Sequence, residues 1–114
     1  MTQSIAIIDY GCGNLASVQK AVTALGFTAE MISDPSVLGK YGRAILPGVG
    51  NFNAAMSDMT QNGLADSIKE FCRSGKPLLG ICLGMQLLAS SGTEGGTDDP
   101  VPGLDLVPGD VVSL

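Results

Sequence analysis

Apolar residues fall in short runs separated by polar turns, and the runs are of two kinds. Ile5-Ala6-Ile7-Ile8, Ala44-Ile45-Leu46 and Leu78 to Ile81 are strand-length apolar stretches, the pattern of strands buried on both faces of a parallel sheet. Thr28 to Ile32 reads as a further strand. Between these runs the periodicity changes. Leu15, Val18, Val22 and Leu25 recur at helical spacing and predict a helix over about 14–25 that Gly26 ends. Ala54, Ala55, Met56 and Met59 mark a second helix, with Asn51 as its cap and Gly63 as its break. A third runs from Leu64 to Arg73 and stops at Gly75. A fourth follows Cys82 and carries Leu83, Met85, Gln86, Leu87 and Leu88.

Ser33 to Ser36 is a loop able to open a short helix. From Ser90 to Gly103 the composition shifts to Ser, Gly, Thr, Asp and Pro, which reads as a surface loop, and Val111 to Leu114 reads as a last strand. Strand and helix alternate, so the expected fold class is α/β: an open, doubly wound, mainly parallel sheet in one domain. Sites in such sheets gather at the carboxyl ends of the strands. Three glycine-containing segments stand there: 11–14, 47–50 and 80–84.

Composition narrows the possibilities. No apolar run is long enough to span a bilayer, and no basic region precedes the first one, which argues against a signal peptide. The net charge is −5 without a basic cluster, so neither nucleic acid nor an anionic membrane is an expected partner. Three cysteines (Cys12, Cys72, Cys82) without CxxC spacing predict neither a disulfide framework nor a metal site, and fit a reducing cytoplasm. The chain contains 0 His, which removes the usual general base.

Gly80-Ile81-Cys82-Leu83-Gly84 lies between a buried strand and a helix, the setting of a nucleophile elbow with Cys in place of Ser. A helix N-terminus there favours a thiolate, and the Leu83 N–H is placed to donate to an oxyanion. The plainer alternative is a buried Cys between two turn glycines. Pro47-Gly48-Val49-Gly50 suits the other half of an oxyanion hole, because glycines let peptide planes turn. It serves equally as a tight connection capped by Asn51. Gly11-Cys12-Gly13-Asn14-Leu15-Ala16 fits the dinucleotide-binding pattern, with Glu30 at the spacing of a ribose-binding carboxylate. Against an NAD-type cofactor stands Asp9, a negative charge where pyrophosphate would sit. Gln86, one turn beyond Cys82, can reach back to the site or simply be solvated. Glu94 alone reads as a surface charge.

Taken together, Asp9-Tyr10-Gly11-Cys12-Gly13-Asn14-Leu15, Pro47-Gly48-Val49-Gly50-Asn51-Phe52 and Gly80-Ile81-Cys82-Leu83-Gly84-Met85-Gln86 resemble three ordered signatures of the glutaminase subunits of imidazole glycerol phosphate synthase. These are triad glutamine amidotransferases of class I. The segment from Gly103 to Gly109 is similar to the next segment of that family, so the likeness covers essentially the whole chain. The resemblance implies a flavodoxin-like class I amidotransferase fold, with residues 1–114 as the N-terminal part of one domain. It implies Cys82 as the nucleophile, Leu83 with Val49 or Gly50 as oxyanion donors, and Gly50, Gln86 and Glu94 as the glutamine-binding residues. It places Asn14 at an interface with a cyclase subunit that receives the ammonia, and it requires no cofactor or metal. In that family the His and Glu partners of the triad lie beyond the segments matched here. With no His, this chain is expected to be inactive on its own.

Overall fold

The computed structural model describes residues 4–11, 14–93 and 99–112. Its elements run in chain order: β1 (Ile5–Ile8), α1 (Leu15–Ala24), β2 (Ala29–Ile32), a 3-10 helix (Pro35–Lys40), β3 (Ala44–Leu46), α2 (Phe52–Gln61), α3 (Leu64–Arg73), β4 (Leu78–Gly80), α4 (Leu83–Gln86), β5 (Ala89–Gly92), β6 (Val101–Pro102) and β7 (Val107–Val111). β1 to β4 form one wholly parallel sheet in the order β2-β1-β3-β4. Ile7 stands beside Ile45, and Ile45 beside Leu79. The connection from β1 leads outward to β2, and that from β3 leads the opposite way to β4. The order therefore reverses between β1 and β3, the position where open α/β sheets leave a crevice.

Alternation along the strands divides the layers. Ala6, Ile8, Ala44 and Leu46 face the main core, which α2 and α3 fill with Phe52, Met56, Met59, Leu64, Ile68 and Phe71. α1 lies over the other face, where Val18, Val22 and Leu25 border an apolar groove with Ile5, Ile45 and Leu79. The helix starts where the sequence indicates, because Asn14 Oδ1 accepts from the Ser17 N–H. Asn51 Oδ1 does the same for the Ala54 N–H, at 2.7 Å. Each cap of this kind stabilises by about 1 kcal/mol.

Three expectations need correction. Leu25, read as part of a buried helical face, is 76% exposed, and Val22 is the buried residue of α1. The sheet beneath this helix is covered only in part, as the 58% exposure of Leu79 shows. α4 ends at Gln86 rather than running through Leu88. The third correction concerns residues 90–103, which are not all loop. β5 pairs antiparallel with β6 and parallel with β7 in a second sheet, and the last strand is Val107–Val111 rather than 111–114.

None of these three short strands has an apolar alternation of its own. They are held by partners distant in sequence: Ser91 Oγ bonds Asp110 Oδ1 at 2.6 Å, and the Gly109 N–H donates to Ser90 Oγ. Gly92 and Gly103 lie against the fully buried ring of Phe52.

β2 is tied to the end of the 3-10 helix by the Tyr41 hydroxyl, which donates to Glu30 Oε2. That bond, and then burial, raise the Tyr41 phenol above its ordinary value of 10.0. A phenol raised in the folded state adds stability that is fully present below about pH 10. It is lost as pH rises through the folded value. Tyr41→Phe should cost about 1 kcal/mol at pH 7. In urea titrations the gap between variant and parent should narrow above about pH 10.

Among the described residues, no helix is long and apolar enough to cross a membrane.

Candidate active site

Neighbouring strands β1, β3 and β4 deliver three turns to one end of the sheet. The turn after β4 has the most constrained backbone. Cys82 sits at φ 54° and ψ −121°, a region that residues with a Cβ rarely enter, and its side chain is exposed. Holding such a residue there costs on the order of 1–3 kcal/mol, so the surroundings must enforce it. The flanking glycines do so by close approach. A Cβ on Gly80 would stand 2.7 Å from Met85 Cα, and one on Gly84 would run into the Leu46 carbonyl. The turn therefore folds back on both its own helix and the end of β3. It continues with Gly84 N–H to Ile81 O at 2.9 Å and Met85 N–H to Cys82 O at 3.0 Å. The strained, exposed cysteine favours an elbow over a buried structural thiol.

The turn after β3 meets the elbow directly. The Leu83 N–H donates to the Gly48 carbonyl at 3.2 Å. A trans peptide points its N–H opposite to its carbonyl, so the Val49 N–H is directed away from Leu83. Leu83 and Val49 therefore do not converge as an oxyanion hole in this conformation. Converging them requires the Gly48–Val49 peptide to turn over. Gly50, at φ 109°, is exposed at the end of the same segment.

Gln86 lies one turn past Cys82, with its N–H on the Cys82 carbonyl at 3.3 Å. Its Oε1 is buried and, among the described residues, has no hydrogen-bond partner. An orphaned buried acceptor costs about 1–3 kcal/mol, which a ligand donor would recover. Asn14 is exposed and caps α1. Glu94, Cys12 and Gly13 lie outside the described residues.

The dinucleotide pattern finds little support. Asp9 Oδ1 accepts from the Gly11 N–H at 3.0 Å, so a carboxylate already occupies the amide that would greet a pyrophosphate. Glu30 is engaged by Tyr41 rather than offered to a ribose. Among the described residues, no three of His, Cys, Asp or Glu cluster as a metal site.

One participant, named in the first signature, is given no role by the sequence reading. Tyr10 is 4% exposed, and its hydroxyl crosses from the end of β1 to donate to the Pro47 carbonyl at 3.0 Å. The available signal was a tyrosine at a strand end followed by glycine, since a buried phenol needs a partner.

The site's frame is thus a parallel sheet whose third and fourth strands end in a glycine turn and a strained cysteine turn. Residues 6–101 match the family Glutamine amidotransferase class-I, and the chain belongs to it. Within that class it is 54% identical over 110 residues to the imidazole glycerol phosphate synthase subunit HisH of Moorella thermoacetica. It is 46% identical to the subunit of the same name from Symbiobacterium thermophilum. These matches cover 96% of this chain but 51% and 50% of the relatives, so the chain spans about half their length. Among solved structures, a putative peptidase E from Listeria monocytogenes EGD-e superposes with a TM-score of 0.74 at 17% identity, covering 94% of this chain and 64% of that one. A glutamine amidotransferase superposes at 0.71 and 22% identity, covering 87% and 51%. Both share the fold.

Proposed function

We propose that this chain is the nucleophile-bearing part of a glutaminase that supplies ammonia to an imidazole glycerol phosphate synthase. The observation that carries the reading is the strained, exposed Cys82 at the carboxyl end of a parallel strand, against the Pro47–Gly50 turn. In this scheme Cys82 Sγ attacks the side-chain amide carbon of glutamine. The C–N bond breaks, nitrogen leaves as ammonia after accepting a proton, and water releases glutamate from the thioester. The Leu83 N–H and an N–H of Val49 or Gly50 hold the oxyanion once the Gly48–Val49 peptide has turned.

Gln86 and Gly50, with Glu94, bind the substrate. Gln86 Oε1, unpartnered among the described residues, supports this, because the ammonium and amide nitrogen of glutamine are donors that could satisfy it. Asn14 belongs to the surface that meets a cyclase subunit, giving a heterodimer that works in the cytoplasm on histidine synthesis. Neither cofactor nor metal takes part.

Limiting iodoacetamide at neutral pH, followed by peptide mapping, tests the elbow. Cys82 is exposed, whereas Cys72 is half-buried and burial pushes its thiol above the ordinary 9.0. Less thiolate at Cys72 means slower alkylation there. Cys82 should label first, and Cys72 should gain only as pH rises past about 9. Labelling of Cys72 or Cys12 ahead of Cys82 on folded protein would remove Cys82 from the role.

A further inference from the structure

We infer that Tyr10 is a positioning residue for the elbow: its hydroxyl fixes the Pro47–Gly48 peptide, and this keeps the Gly48 carbonyl on the Leu83 N–H. The consequence for catalysis rests on the glutaminase reading above, since Leu83 is an oxyanion donor only within it.

Two hydrogen bonds act in series across the sheet. The Tyr10 hydroxyl donates to Pro47 O at 3.0 Å, over a separation of 37 residues. The next carbonyl along, that of Gly48, accepts from the Leu83 N–H at 3.2 Å. Pinning the first peptide plane leaves the second only the torsions on either side of it. Tyr10 is 4% exposed, and a phenyl ring would satisfy the packing alone. A buried hydroxyl is tolerated where it is bonded.

Space around Gly48 is tight on the same side. A Cβ there would meet the Tyr10 hydroxyl, Gly84 N at 3.1 Å and Leu83 Cβ at 3.1 Å. The backbone of Gly48 is thus wedged between the phenol and the elbow. Loosening one should be felt at the other. Tyr10 also bridges the crevice at the switch point between β1 and β3, which places its restraint between the first turn of the chain and the cysteine turn.

The test is Tyr10→Phe in the 114-residue chain, read by amide hydrogen exchange. Loss of one neutral hydrogen bond should speed exchange of the Leu83 amide by about three- to tenfold. The Ala6 amide, bonded to Arg43 O, and the Ala44 amide, bonded to Pro77 O, should keep their parent rates. An unchanged Leu83 rate, or an equal rise at all three amides, would show Tyr10 to be packing only. Should the variant not fold, the parent chain decides. A slowly exchanging Tyr10 hydroxyl proton with a cross-peak to the Gly48 α-protons upholds the restraint, and its absence overturns it. No arm contains glutamine, so a Leu83 response alongside failed Cys82 labelling would sink the glutaminase reading and leave the positioning role standing.

Discussion

Mixed with glutamine, the 114-residue chain should release no ammonia above a Cys82→Ala control, with or without a cyclase subunit. Amide attack needs a thiolate, and departing ammonia needs a proton. In triad enzymes one imidazole performs both transfers, held in its tautomer by a carboxylate. This chain has 0 His. A carboxylate with an ordinary pKa of about 4 is ionised at neutral pH and has no proton to give. Strain at Cys82 exposes the sulfur but shuttles nothing. Removing one triad member costs roughly four to six orders of magnitude in turnover.

The closed Gly48–Leu83 hydrogen bond adds to that deficit, because it keeps the Leu83 and Val49 N–H groups, proposed as oxyanion donors, from converging. A glutamate-dehydrogenase-coupled assay reads the outcome. Cys82-dependent turnover at ordinary enzyme rates would overturn the argument. Adding the second half of the Moorella thermoacetica relative as a separate polypeptide should restore measurable turnover, since the family resemblance implies that it brings the His and Glu partners.

Among the described glycines, Gly84→Ala should be the most destabilising methyl addition, whereas Gly39→Ala should change little. A Cβ at Gly84 collides with the Leu46 carbonyl and stands 2.7 Å from Leu46 C and 3.2 Å from Pro47 C. These are backbone atoms at the end of β3, and they cannot rotate away as a side-chain tip can. Relief would require β3 and the elbow to separate, which breaks the Ile81 N–H bond to Leu46 O at 3.0 Å and the Leu83 N–H bond to Gly48 O. Overpacking of this kind costs about 1–3 kcal/mol where side chains yield, and more where backbone must move. A loss of roughly 4 kcal/mol would consume most of the stability of a small domain. At Gly39 nothing lies within 4 Å and the backbone is not left-handed, so the methyl should shift stability by less than about 0.5 kcal/mol. Thermal melts of both variants give the comparison. Equal melting temperatures would mean that the elbow does not press on β3.

Much of the candidate site's backbone was legible because its signals are local. Unbroken apolar runs define β1 and β3, since a strand covered on both faces has no polar side to show. The run at Leu78 to Ile81 reads the same way and does form β4, yet Leu79 stands 58% exposed. Asn14, Asn51, Gly26 and Gly63 mark helix ends by satisfying or terminating the adjacent backbone, an interaction that spans about two to four residues. The cysteine turn is legible for the same reason, through the small residues that its close approach demands.

Everything the sequence left open depends on contacts between distant segments. β5, β6 and β7 are strands only because Ser90, Ser91, Asp110 and the ring of Phe52 meet in space, and no period along Ala89–Gly92 announces it. Leu25 has the spacing of a core residue, yet whether a helical face is covered is settled by what packs on it. The same holds at the elbow. Sequence placed Leu83 and the 47–50 turn beside Cys82. Only the fold shows the Gly48 carbonyl, rather than an N–H, turned toward it with Tyr10 behind. A peptide plane flanked by glycine has no strong intrinsic preference between the two orientations, so the choice passes to the hydrogen bonds that tertiary structure brings within reach.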